Sequence, residues 1–176
     1  MKLRVKFEKG DEVKLISHLN LIKVFVQALR RSGLPVAYSE GFSPHPRVSF
    51  GPPLTLGIKS KGEFADLVLE KAIDKDEFKI RFNKELPEGL KIMEVGEVPR
   101  ESKSLMAIID IATYKIKPDG EGRSLDISLH LKGKIKIKEA VKSLLGKEEL
   151  NLASLDMERT GLFVEKEGKL VSPLEL

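Results

Sequence analysis

Over residues 1–98 the spacing of apolar side chains switches between a period of two and a period near 3.6, in an order that leaves few folds open. KLRVKFE (2–8) puts Leu3, Val5 and Phe7 on one face of a strand and Lys2, Arg4 and Lys6 on the other, so the basic row is expected to face solvent or a ligand. After a turn at Gly10 and Asp11, Ser17 can cap a helix whose apolar positions are Leu19, Ile22, Phe25, Val26 and Leu29, ending at Gly33 before Pro35. The segment PVAYSEGFSPHPRVSFGPPLTLG (35–57) then reads as strand, ordered loop, strand. Val36 and Tyr38, then Val48 and Phe50, alternate, while Pro44 and Pro46 stiffen GFSPHP between them. GEFADLVLEKA (62–72) alternates through Phe64, Leu67 and Leu69. Asp74 and Glu77 form a capping pair before a helix with Phe78, Phe82 and Leu86 on one side, and LPEGLKIMEVGEV (86–98) supplies a turn and a strand. The order strand, helix, strand, strand, helix, strand is that of the split βαβ arrangement. It predicts an α+β fold with a ferredoxin-like βαββαβ unit over 1–98, its antiparallel sheet backed by two helices on one face.

PRESKS (99–104) is the most linker-like stretch. Beyond it, residues 105–176 read as a smaller α+β unit packed against the first, with an order that admits a degenerate second ferredoxin-like copy. LMAIIDIATYKIKP fits either a short helix and a strand or one long strand. RSLDISLHLKG is strand-like, IKIKEAVKSLLG carries Ile137, Val141, Leu144 and Leu145 on a helix face, and LASLDMERTGLFVE ends as a strand.

Composition narrows the chemistry. The 176 residues are 41% hydrophobic and 33% charged, a globular balance, and the absence of cysteine removes thiol nucleophiles, disulfides, zinc-thiolate sites and iron–sulfur clusters together. Three histidines, His18, His45 and His130, leave no recognisable metal motif, and nothing in the sequence calls for a cofactor. One Gln, three Asn and many Lys and Glu match the composition of heat-adapted proteins. No run is apolar enough for a membrane span and the N-terminus alternates rather than carrying a signal core, so the expected location is the cytoplasm with no membrane partner. The net charge of +4 is unevenly spread: residues 1–60 carry +6 and the remainder −2, so a polyanion surface is expected in the N-terminal third.

Four motifs stand in that third: S-H-L-x-L from Ser17, A-L-R-R-x-G-L-P from Ala28, Y-S-x-G-F-x-P-H-P from Tyr38 and G-P-P-L-x-x-G from Gly51. Together they resemble the radical SAM-linked domain family of unknown function, whose members are fused to or encoded beside radical SAM enzymes and often lie near ribosomal-protein and RNase E/G-type genes. The resemblance spans residues 1 to about 100 well and the rest weakly. It implies a radical SAM enzyme as partner and RNA or ribosome modification as the setting, and it implies no reaction for this chain. Without cysteine there is no C-x3-C-x2-C cluster motif, so radical chemistry would stay with the partner.

Read for chemistry, GFSPHPR offers an anion site. The two prolines fix the direction of His45, Arg47 is a bidentate phosphate donor, Ser43 adds a hydroxyl and Phe42 can stack on a base. The alternative is a hard corner between two strands. His18 opens a helix near Lys14, an arrangement that suits an anion or a plain helix start, and Arg30 and Arg31 end that helix, where they complement its dipole or add to a basic surface. His130 reads as a sheet-surface residue, and Asp66, Glu70, Glu94 and Glu97 as solvent-facing strand positions. Three functions fit these residues. The first is an RNA-binding or substrate-presenting module using Lys14, His18, Arg30, Arg31, Phe42, Ser43, His45 and Arg47. The second is a metal-independent endoribonuclease with His18 and His45 as acid and base, which requires both within side-chain reach on one surface. The third is an adaptor that docks a protein through Phe42, Val48 and Phe50.

Overall fold

Strand β1 (Lys2–Lys9) lies between two antiparallel neighbours, β3 (Lys59–Val68) and β4 (Leu90–Val98), and β2 (Val48–Phe50) pairs antiparallel with the far end of β3. The order β4–β1–β3–β2 in this computed structural model, with helices α1 (His18–Ser32) and α2 (Lys75–Glu85) as the two crossovers, is the arrangement expected of the split βαβ pattern. The structure describes residues 1–117, 124–133, 135–146 and 155–176. The expected strand LASLDMERTGLFVE begins at residues 152–154, which lie outside the described residues, as does Arg123 of RSLDISLHLKG.

Both helices cover one face of the sheet. Phe25, Ala28 and Leu29 of α1 and Phe78 and Phe82 of α2 pack with Leu3, Val5, Phe7, Leu67 and Ile92 in one core. Local chemistry sets the helix ends: the Ser17 hydroxyl accepts from the Asn20 N–H at 3.2 Å, and Asp74 accepts from Asp76 and Glu77. The Glu77 carboxylate completes no reciprocal cap and instead accepts from Arg81 one turn on. The buried stripe of α1 is Leu21, Phe25, Ala28 and Leu29, and Leu19 is 70% exposed, contrary to the sequence expectation. Leu19 shares its helical side with Lys23, Gln27 and Arg30, all exposed, so it lies on the solvent face. Val36 and Tyr38 make isolated bridges, to Leu69 and Pro46, in place of the expected strand.

The second half extends the same sheet. After α3 (Leu105–Ile108), β5 (Ile111–Lys117) pairs antiparallel with β6 (Leu125–His130) and with β7 (Asp156–Lys166), which settles LMAIIDIATYKIKP as a short helix followed by a strand. Helix α4 (Ile137–Leu145) buries Val141, and β8 (Lys169–Val171) pairs with β7. The halves join where β7 runs parallel to the start of β3 at Lys59 and Ser60. There Gly62 faces Gly161 so closely that a Cβ on Gly62 would lie 2.8 Å from the Gly161 Cα, so the join requires a residue without a side chain. Ile58 and Phe64 turn into a second core with Leu105, Tyr114, Ile116 and Met157. Among the described residues no helix is long and apolar enough to cross a membrane.

The face of β1 opposite the helices is not free. Arg4 is buried and its guanidinium holds both Asp66 oxygens, Nε to Oδ1 at 2.8 Å and Nη2 to Oδ2 at 3.0 Å, while Nη1 donates to the Pro173 carbonyl at 2.9 Å. Lys2 adds an ion pair to Asp66 at 3.1 Å and donates to the Ser102 hydroxyl at 2.9 Å. The expected solvent-facing positions Lys2, Arg4 and Asp66 are therefore interior, because PRESKS and the turn Pro173–Glu175 fold back over them. Glu70, Glu94 and Glu97 are exposed as expected. Removing one partner of a buried pair leaves an uncompensated charge. Asp66→Ala is thus expected to lower unfolding stability by about 3–5 kcal/mol, read as a fall in the urea midpoint with an unchanged m-value; a shift no larger than that of an exposed control such as Glu70→Ala would contradict this role.

Candidate functional site

Ion pairing consumes most of the basic surplus of the N-terminal third. Lys6 pairs with Glu94, Lys14 with Asp11, Arg31 with Glu85, and Lys59 with Asp156, in addition to the Lys2–Arg4–Asp66 cluster. Among the described residues of this third Lys9, Lys23, Arg30 and Arg47 form no ion pair, and two of these adjoin the same loop: Arg47 follows it, and Arg30 reaches the Pro44 carbonyl at 3.5 Å.

That loop is closed by its own two ends. The Ser39 N–H donates to the His45 carbonyl at 2.9 Å, the His45 N–H donates to the Ser39 hydroxyl at 3.2 Å, and the same hydroxyl lies 3.0 Å from His45 Nδ1. These contacts anchor the imidazole against the loop on its Nδ1 side, with Nε2 on the opposite edge of the ring. At the tip, Gly41 adopts φ +114°, open to glycine and strained for other residues, and Phe42 is fully exposed.

Beside the loop lies a cleft of about 410 Å³, lined by Ser39, His45, Arg47 and Ser49 together with Lys2, Asp66 and Arg100. Its one carboxylate, Asp66, is already engaged by Arg4 and Lys2. Arg47 and Arg100 are therefore left as donors toward an anion, with the His45 imidazole beside them. A cavity of about 470 Å³ at the other end of the sheet is lined by Glu8, Glu12 and Glu88 against Lys91, the wrong sign for that ligand.

His18 is elsewhere. It stands edge-on to Phe50, ring centroids 5.7 Å apart, at a small cavity shared with Phe7, Lys9, Pro53 and Glu63 on the helix side of the sheet. Beside it is a second buried ionic network. Arg159 donates to the Pro52 and Pro53 carbonyls at 2.9 Å each and pairs with Glu63 at 3.3 Å, Ser60 donates to Glu63 at 2.6 Å, and the Lys9 ammonium donates to the Ile16 carbonyl at 3.0 Å. Arg159 Nε has no partner among the described residues. These bonds tie the G-P-P-L motif to β3 and β7, and make that loop a structural brace.

The structure thus brings Ser39, His45, Arg47, Lys2 and Arg100 together and places His18 and Lys14 apart from them. Ser43 touches His45 only through its carbonyl, at 3.3 Å from Nδ1. Arg31 is tied to Glu85, Val48 is half-buried, and Phe50 packs against Phe25 with ring centroids 5.0 Å apart, which removes both as docking anchors. His130 is exposed on β6. Sequence spacing had no means of finding Lys2 and Arg100, 98 residues apart, because only the fold-back of PRESKS makes them neighbours.

A bacterial family profile matches residues 2–162, nearly the whole sheet and every residue of the cleft. The chain belongs to the family described as an uncharacterized protein conserved in bacteria (DUF2344). Comparison with curated proteins gives no match. In this DUF2344 member Y-S-x-G-F-x-P-H-P supplies the cleft and G-P-P-L-x-x-G the brace, while Leu21, Ala28, Leu29 and Leu34 of the other two motifs pack in the helix-side core.

Burial holds the His18 imidazole below its usual range; the Glu63 carboxylate opposes the shift and the Lys9 ammonium adds to it. As pH falls, the unfolded chain therefore takes up the proton first. Stability is full above the ordinary histidine value and declines as pH drops through about 6.5 toward the lower folded value. The carboxylates Asp11, Asp110 and Asp156, each held low chiefly by a lysine hydrogen bond, act at lower pH. Urea midpoints measured from about pH 7.5 to about pH 5.5 are expected to fall in the wild type and to fall less in His18→Gln; equal slopes would contradict burial of a neutral imidazole.

Proposed function

We propose that this chain binds the phosphate backbone of RNA in the cleft beside the Ser39–His45 loop and presents that RNA to a radical SAM enzyme. The observation that carries the RNA reading is the convergence of Arg47, Arg100 and the His45 imidazole on a concave site whose carboxylate is already neutralised. Phosphate contacts of this kind position a nucleic acid without reading its sequence, and two guanidiniums are suited to bidentate contact with phosphate oxygens. The partnership with a radical SAM enzyme rests on the motif resemblance and is tested by co-purification of that enzyme with the full chain. Acid–base cleavage by His18 and His45 is disfavoured, because the two line separate cavities and general acid–base work needs both at one phosphodiester.

The test is the salt dependence of RNA affinity. Log affinity is expected to fall linearly with log salt, and Arg47→Ala and Arg100→Ala are each expected to reduce the slope by about 0.7. Arg31→Ala, whose side chain is held by Glu85, is expected to leave it unchanged. Salt-insensitive binding, or no binding at low salt, overturns the reading.

A further inference from the structure

Phe42 has no packing role to explain it. Its side chain is wholly in solvent, although burying a phenylalanine is worth about 1.5–3 kcal/mol. It is carried on a loop held at both ends by the Ser39–His45 bonds and stiffened by Pro44 and Pro46, so the ring is presented at a fixed place with little freedom left to lose. The two residues that close the loop, Ser39 and His45, each three positions from Phe42, line the cleft, whose size suits a small ligand or a single nucleotide.

On β1 and β3 the other common platform is covered. Proteins with a sheet and two helices often stack unpaired bases on the open face of the sheet. Here one face of β1 and β3 is covered by α1 and α2, and the other is closed at Lys2, Arg4 and Asp66 by residues 99–104 and 173–175. The most exposed aromatic, Phe42, is at the tip of the loop that lines the cleft instead, with the less exposed Tyr38 at the base of that loop.

We propose that the cleft takes single-stranded RNA, with a phosphate held by Arg47 and Arg100 and an adjacent unpaired base stacked on Phe42. This rests on the RNA reading above and narrows it. In an A-form duplex the bases are stacked inside and the deep major groove excludes side chains, so Phe42 has nothing to stack on and recessed cations meet only a convex backbone. A single strand can enter the cleft and turn a base outward, and every base offers a face to an aromatic ring, so the contact is tolerant of sequence.

The experiment compares a labelled, unstructured RNA of about 12 nucleotides with the duplex of the same length by fluorescence anisotropy on the full chain at about 50 mM salt. The single strand is expected to bind at least about tenfold tighter. Phe42→Ala is expected to weaken single-strand binding by about 5- to 100-fold, leave duplex binding and the salt slope unchanged, and be rescued by Phe42→Trp. Phe42 is fully exposed, so the variant's fold is preserved. Equal affinity for strand and duplex, or no loss in Phe42→Ala, overturns the single-strand proposal while the RNA reading stands. Absence of binding to both overturns the two together.

Discussion

The buried pair of Arg4 and Asp66 is the constraint on which the rest of the architecture hangs. It sits in the middle of the sheet, on directly opposed positions of β1 and β3, with both side chains removed from water. Burial of such a pair is tolerable only when the remaining donors and acceptors are met. Here they are met from afar: Pro173 supplies a carbonyl to Arg4, and Lys2 supplies an ammonium to Asp66 while reaching Ser102. Satisfying one ion pair therefore fixes the course of residues 99–104 and the C-terminal turn.

The cleft is a by-product of that requirement. PRESKS, drawn back over β1, brings Arg100 to it, where Ser39 and His45 of the loop also line it. On the helix side, Arg159 and Glu63 hold the G-P-P-L loop in the same way, with backbone carbonyls as acceptors. Strand β3 carries one member of each network, Asp66 and Glu63, and lends residues to both cores. A rigid sheet thus presents a stiff loop at its edge, the division of labour by which folds commonly carry binding sites.

The local signals in the sequence were well matched by the structure. Two helices and their caps at Ser17 and Asp74 stand where period and capping residues placed them, because those choices are made within a few residues. What escaped was set at long range. Alternation correctly put Lys2, Arg4 and Asp66 on the face away from Leu3 and Leu67 but could not say that Ser102, 100 positions from Lys2, and Pro173, 169 positions from Arg4, would cover that face. Leu19 was misplaced because the first turn of α1 offers apolar residues on two sides, and only the packing of Leu21 and Phe25 selects one. At the candidate site, His45, Arg47 and Phe42 were legible from proline spacing and side-chain chemistry. Ser39 as the group that anchors His45, and Lys2 and Arg100 as lining residues of the same cleft, needed the fold.

The central claim is that RNA lies between the Ser39–His45 loop and the 99–104 segment. Ultraviolet cross-linking of bound single-stranded RNA, followed by mass spectrometry of the modified peptides, tests it most directly. The account predicts adducts within residues 38–49 and 99–103, whereas adducts concentrated on β5, β6 or the helix face around His18 would contradict it.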